Sequence, residues 1–103
     1  MHRTPPRPPN SAGQADLLAH QGRLAFEARN YRAAKDFFTE AVRLEPRNSA
    51  RRMHLAIAHE ALQDLSGAVT ELTEALHLDA NSSDAARGLS SMLSRHALTV
   101  RSG

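Results

Sequence analysis

A chain of 103 residues, 41% hydrophobic and 23% charged, is long enough for one folded domain and no more. It has no cysteine, which excludes disulfides and thiolate chemistry, and its net charge of +2 is too small an excess to argue for nucleic acid by itself. Aromatic residues make up only 4%, so the core has to be built from Leu and Ala, which suits packed helices better than sheets.

Residues 1–11 read as a disordered Pro-rich tail. Pro5, Pro6, Pro8 and Pro9 remove backbone donors and favour an extended course. No apolar run follows Met1 to Pro9, so this is not a secretory signal, and no stretch reaches membrane-spanning length. The expected compartment is the cytoplasm. Arg3, Pro6 and Pro9 fit an R-x-x-P-x-x-P ligand for an SH3-type groove, but a disordered basic leader is the favoured reading.

Five helices are expected after the tail, in a domain over residues 12–98. Ser11 followed by Gln14 reads as a capping box, so the first helix starts at about Ala12 and runs to Ala28, with Leu17, Leu18, Gln21, Leu24 and Ala28 near its inward face. Asn30 caps the second, which carries Ala34, Phe37, Phe38, Ala41 and Leu44 inward. Pro46 ends it and pushes Glu45 out of helix. Asn48 or Ser49 caps the third, to about Leu62. Asp64 caps the fourth, to about Leu78, which buries Leu65, Ala68, Leu72, Ala75 and Leu76. After Asn81, Ser82 and Ser83, a fifth helix from about Asp84 to Leu98 carries Ala85, Leu89, Met92, Leu93 and His96 at spacings of three and four. Residues 99–103 read as a frayed end.

Shifted by 34 residues, the chain falls on itself. His20 meets His54, Ala34 meets Ala68, and Thr39, Glu40 and Ala41 meet Thr73, Glu74 and Ala75; Leu44 meets Leu78. Gly22 becomes Ala56 and Phe38 becomes Leu72. Small residues recurring at identical places mean identical close packing in each unit, which a bundle of unrelated helices does not need.

These residues resemble the tetratricopeptide repeat. Unit 15–48 supplies Gly22, Tyr31, Ala34, Phe38, Ala41 and Pro46 at the family's positions, and FFTEAVRLEPRN is especially typical. Unit 49–82 supplies Ala56, Leu65, Ala68, Leu72 and Ala75, and residues 83–98 look like the capping helix that ends such arrays. Arg52, His59 and Ala80 depart from the pattern. The resemblance implies an all-α fold, with antiparallel helix-turn-helix repeats stacked as a short right-handed α-solenoid. It also implies a protein-binding module with a concave groove lined by the first helix of each unit. Two repeats bury little surface, so self-association is a candidate.

Candidate groove residues follow from the helix faces. Met53, Ile57 and Glu60 form a stripe opposite Leu55, Ala58 and Leu62. The matching stripes are Ala19, Arg23 and Phe26 in the first helix, and Arg87, Ser91 and Ser94 in the fifth. The expected partner-binding set is His20, Arg23, Phe26, Met53, His54, Ile57 and Arg87, with apolar anchors and arginines suited to an acidic protein or peptide. One class in this family binds C-terminal carboxylates of heat-shock chaperones. Its positions fall on Ala19, Arg23, His54, Asp84 and Gly88, where only Arg23 could serve, so that partner class is disfavoured.

No metal, cofactor or catalytic residue is expected. His54 and His59 are five apart, a poor helical spacing for two ligands. No phosphate-binding loop or nucleophile elbow occurs, and His59-Glu60 is followed by Ala61, Leu62 and Gln63, so an H-E-x-x-H motif is absent. Arg47, Arg51 and Arg52 form a basic turn without an aromatic to stack a base, which makes RNA binding a weak alternative. A regulatory or scaffolding part at the N-terminus of a larger enzyme is the other.

Overall fold

The structure is a computed structural model that describes residues 11–102, with side chains over residues 13–95. It contains α1 (Ser11–Glu27), α2 (Tyr31–Leu44), α3 (Ser49–Ala61), α4 (Leu65–Leu78) and α5 (Ser83–Ser102), with no strand among the described residues. The capping side chain of Ser11 and nearly all of the Pro-rich tail lie outside the described residues. Helix α5 continues four residues past Leu98, over the segment expected to fray, where no Gly or Pro lies between Leu98 and Gly103.

Short-range chemistry sets the boundaries. Asn30 accepts from the Ala33 amide, Asn48 from Arg51, Asp64 from Gly67, and Ser82 Oγ from Ala85. Each satisfies one of the orphan donors at a helix start. The two turns inside the units are copies of one another. The Arg29 amide donates to Phe26 and the Asn30 amide to Ala25; 34 residues on, Gln63 donates to Glu60 and Asp64 to His59. This is the Schellman arrangement, and it places Arg29 (φ 63°) and Gln63 (φ 65°) in the left-handed region. The turns between units match as well. Glu45 and Asp79 leave the helix with similar backbone angles (φ −132°, ψ 69° and φ −141°, ψ 88°), and their amides donate to Ala41 and Ala75. Ala80 in place of proline therefore leaves this turn unchanged.

Packing runs down the chain as a stack: α1 on α2, α2 on α3, α3 on α4 and α4 on α5. Antiparallel helix-turn-helix units thus form a short α-solenoid, as the repeat implied. One core cluster joins Ala34, Phe38 and Val42 of α2 to Leu55 and Ala58 of α3. The next joins Ala56, Ala68, Leu72 and Ala75 to Ala85 and Met92 of α5. At the first seam a Cβ on Gly22 would lie 2.5 Å from Phe38 Cε1. The second unit solves the same contact with Ala56 against the smaller Leu72.

Two packing expectations are corrected. Helix α1 buries Ala15, Ala19 and Gly22 against its neighbours, while Leu17 and Leu24 stand 58% and 53% exposed. The small face is inward because α2 approaches closely there. In α5, Leu89 and Met92 pack inward, but Leu93 is 49% exposed.

Ion pairs tie the turns to the stack. Arg51, whose side chain is 13% exposed, bonds Glu45 Oε1 at 3.0 Å and also pairs with Asp16 of α1. Arg52 bonds Glu71 of α4 at 3.0 Å and the Pro46 carbonyl at 3.2 Å. At the second unit's turn, His59 Nδ1 lies 3.0 Å from Asp64 Oδ2, over Gly67, where a Cβ would meet both side chains.

Candidate functional site

The first helices of the units, α1 and α3, frame a cavity of about 230 Å³ lined by Arg23, Phe26, Glu27, Phe38, His54 and Ile57. Phe38 forms its buried floor, and Phe26 is held against Tyr31 with ring centroids 4.9 Å apart. On the other side of Ile57 lies a second cavity of about 200 Å³, between α3 and α5. Its walls include Met53, Glu60, Asp84, Gly88, Ser91 and Arg95. Ile57 lines both cavities and is 42% exposed.

The structure thus brings four of the expected residues together in one cavity: Arg23, Phe26, His54 and Ile57. Met53 joins Ile57 in the second, but it is half-buried, packs on the Ala56–Leu72 cluster and receives the Ser82 hydroxyl at 3.8 Å from its sulfur. It is a core residue as much as a wall. His20 is exposed, with Nδ1 3.5 Å from Arg23 Nη2, and lines neither cavity. Arg87 also stands outside both, on the exposed side of α5 with its guanidinium 2.5 Å from Asp84. Ala19, placed in the groove by periodicity, is 2% exposed beneath α1. Phe38 and Glu27 were not in the expected set. Phe38 reads as core from its spacing, and only the gap left by Gly22 lets its ring reach the cavity floor.

His54 is the least ordinary group here. Its ring lies over Phe38 at 5.3 Å between centroids, and its Nδ1 is buried without a hydrogen-bond partner. Burial, and then the charges of Arg51 and Arg23, hold its pKa below the ordinary 6.5. The unfolded chain therefore binds more protons at His54 than the folded one. This contribution to stability is fully present above about pH 6.5 and is lost as pH falls through the folded value. His54→Phe, which keeps the ring contact and removes the titration, is expected to lose less stability than the parent over that window. Urea melts from pH 7.5 to 5, with parallel curves for the two proteins, would refute it.

The arrangement is one of shape and apolar contact. Among the described residues no three His, Cys, Asp or Glu side chains converge to hold a metal ion, and no helix is long and apolar enough to cross a membrane. Arg51 and Arg52, the core of the basic turn, are engaged with Asp16, Glu45 and Glu71.

Comparisons with known proteins agree with this fold. No curated protein matches the chain in sequence. Among solved structures, the first TPR of Spaghetti (RPAP3) bound to HSP90 peptide SRMEEVD aligns with a TM-score of 0.75 at 21% identity, over 78% of this chain and 64% of that one. The Sgt2 TPR domain from Aspergillus fumigatus aligns with a TM-score of 0.73 at 25% identity, over 89% of this chain and 58% of that one. The chain thus spans about three fifths of the length of these two solved chains. The tetratricopeptide repeat family model matches residues 25–93, from the end of α1 through both inter-unit seams to Leu93. With the 34-residue copying of caps and turns, that match shows that the chain belongs to the tetratricopeptide repeat family.

Proposed function

We propose that this domain is a protein-interaction module that takes a peptide or partner segment across α1, α3 and α5. One observation carries the reading: Ile57, a large aliphatic residue 42% exposed, forms the ridge between two cavities, the first floored by Phe26 and Phe38. A side chain on each side of that ridge would remove it from water. A stack of packed helices is already ordered, so little entropy is lost when a segment docks.

Charge refines the ligand. Arg23 favours an acidic group at the α1 end, and Glu27 limits that preference. Glu60 and Asp84 sit at the α5 side, with Arg95 and Arg87 paired to them. The Spaghetti (RPAP3) structure holds an HSP90 peptide. In this chain Ala19 is buried and Asp84 and Gly88 occupy further carboxylate-binding positions, so a chaperone tail is not the proposed ligand. The proposed one carries large apolar side chains, with any acidic residue toward Arg23.

Selection of a displayed random-peptide library on the chain tests this. Enriched peptides are expected to share a large apolar residue. Ile57→Glu is expected to weaken them at least tenfold, about 1.4 kcal/mol. Glu40→Ala, on the exposed face of α2 beside Arg43, serves as control and is expected to change little. Selection that yields no binders, or binders indifferent to Ile57→Glu, would overturn the reading. Ile57 is the better probe than a Met53 and Ile57 double change, because Met53 also supports the core.

A further inference from the structure

The first cavity has one imidazole in its wall, His54. The ring lies over Phe38, and its Nδ1 is buried with no hydrogen-bond partner. An imidazolium carries hydrogen on both nitrogens. Charging His54 in this place would bury an ionised N–H without an acceptor, a larger penalty than a neutral group meets.

The charges around the ring do not relieve this. On α1, Arg23 shares the cavity wall, with the His20 Nδ1 3.5 Å from its Nη2. Glu27, the carboxylate of that wall, is exposed at the last residue of α1. Helix α2 presents the uncharged Phe38. On α3 itself Arg51 adds a second cation, and it already holds Asp16 of α1 and Glu45 after α2. Glu71 of α4 is paired with Arg52; on α5, Asp84 is paired with Arg87, and Arg95 with Glu60. Burial and the two arginines, Arg51 and Arg23, thus oppose a proton at His54. Against the same ring lies the open space of the cavity, about 230 Å³.

We propose that His54 is a proton-operated gate on the first cavity: neutral, it stays over Phe38 and leaves the cavity open to an apolar side chain; protonated, it turns into the cavity and displaces that side chain. A change of rotamer that lifts the ring off Phe38 brings its nitrogens to water and to the wall that carries Glu27. The gated ligand rests on the docking site proposed above, whereas the movement of the ring does not. A seated side chain holds His54 in its neutral place, so the bound chain takes up fewer protons than the free one. Affinity then falls as pH falls. The second cavity has no histidine in its wall and is not gated.

Proton magnetic resonance on the full chain tests the movement without a ligand. Nuclear Overhauser contacts between the His54 and Phe38 rings are expected at pH 7.5 and should vanish as the His54 ring titrates, with far-ultraviolet circular dichroism unchanged. Contacts that persist once the ring is charged overturn the gate, as does unfolding that precedes the titration. The second arm uses peptides from the library selection that lack Asp, Glu and His and are acetylated and amidated, so that only the protein titrates. Their affinity is expected to fall about fivefold or more between pH 7.5 and 5. His54→Phe is expected to abolish the fall, and His77→Gln, exposed near the end of α4, to keep it. Equal binding at the two pH values, or a fall that persists in His54→Phe, overturns the gate and leaves the docking site standing. Ring movement in a chain that selects no peptide supports the gate and overturns the docking site instead.

Discussion

Gly22→Ala is expected to lower stability by up to about 2 kcal/mol, although alanine is the better helix former. The added methyl would lie 2.5–2.9 Å from three atoms of the Phe38 ring, which is 3% exposed and also lies against His54. Overpacking of that kind costs about 1–3 kcal/mol, and the gain in helix propensity returns about 1. The second unit supplies the remedy, since it holds alanine at the equivalent position and leucine in place of the phenylalanine. Phe38→Leu alone should also destabilise, by roughly 1–2 kcal/mol, because it leaves a void under the Ile57 ridge. Together the two changes should cost less than their sum, with a coupling of about 1 kcal/mol or more. Urea denaturation of the four proteins of this cycle measures it. Additive losses would mean that the two seams are not packed alike.

Ala68→Leu is expected to cost about 3 kcal/mol, the top of the range for overpacking. Ala68 is 0% exposed and clustered with Ala56, Leu72, Ala75 and Met92, so three added carbons have to displace either α3 or α5. Each unit contacts only its neighbours, and displacement at this seam separates the two ends of the stack. Against the roughly 5–15 kcal/mol of an ordinary domain, that loss should move the thermal midpoint by well over 10 °C in a chain of this size. The control is Ala86→Leu on the exposed face of α5, where alanine and leucine are both good helix formers and nothing is overpacked. Similar melting of the two variants would show that the small residues do not set the helix spacing.

The helices and the repeat were legible from the chain alone because their determinants are short-range. Asn30, Asn48 and Asp64 cap where a side-chain oxygen can reach an amide three residues on, and Glu45 turns out of helix before Pro46. The recurrence of Ala34, Ala41, Ala68 and Ala75 announced close seams, and all four are fully buried. Part of the candidate site's geometry was legible in the same way. Arg23, Phe26, His54 and Ile57 share a cavity because α1 and α3 hold the same place in successive units.

Periodicity could not say which neighbour a face meets. It reports that a stripe is apolar, whatever covers it. Leu17 and Leu24 therefore read as inward, whereas only the packed stack shows Ala15, Ala19 and Gly22 against the neighbouring helices and the leucines in water. Ala19 left the groove for the same reason, and Met53 was drawn into the α4–α5 core. Charges behave likewise, because a guanidinium on a long side chain pairs with whatever the fold brings near. Arg51 found Asp16, which is 35 residues away, and Arg52 found Glu71, 19 residues away. Arg87 is the exception: its partner Asp84 is one turn back on the same helix, a pair that spacing alone allows. The number and spacing of these arginines belong to the sequence; which of them remains to meet a partner was decided by the stacking of α1, α3 and α5.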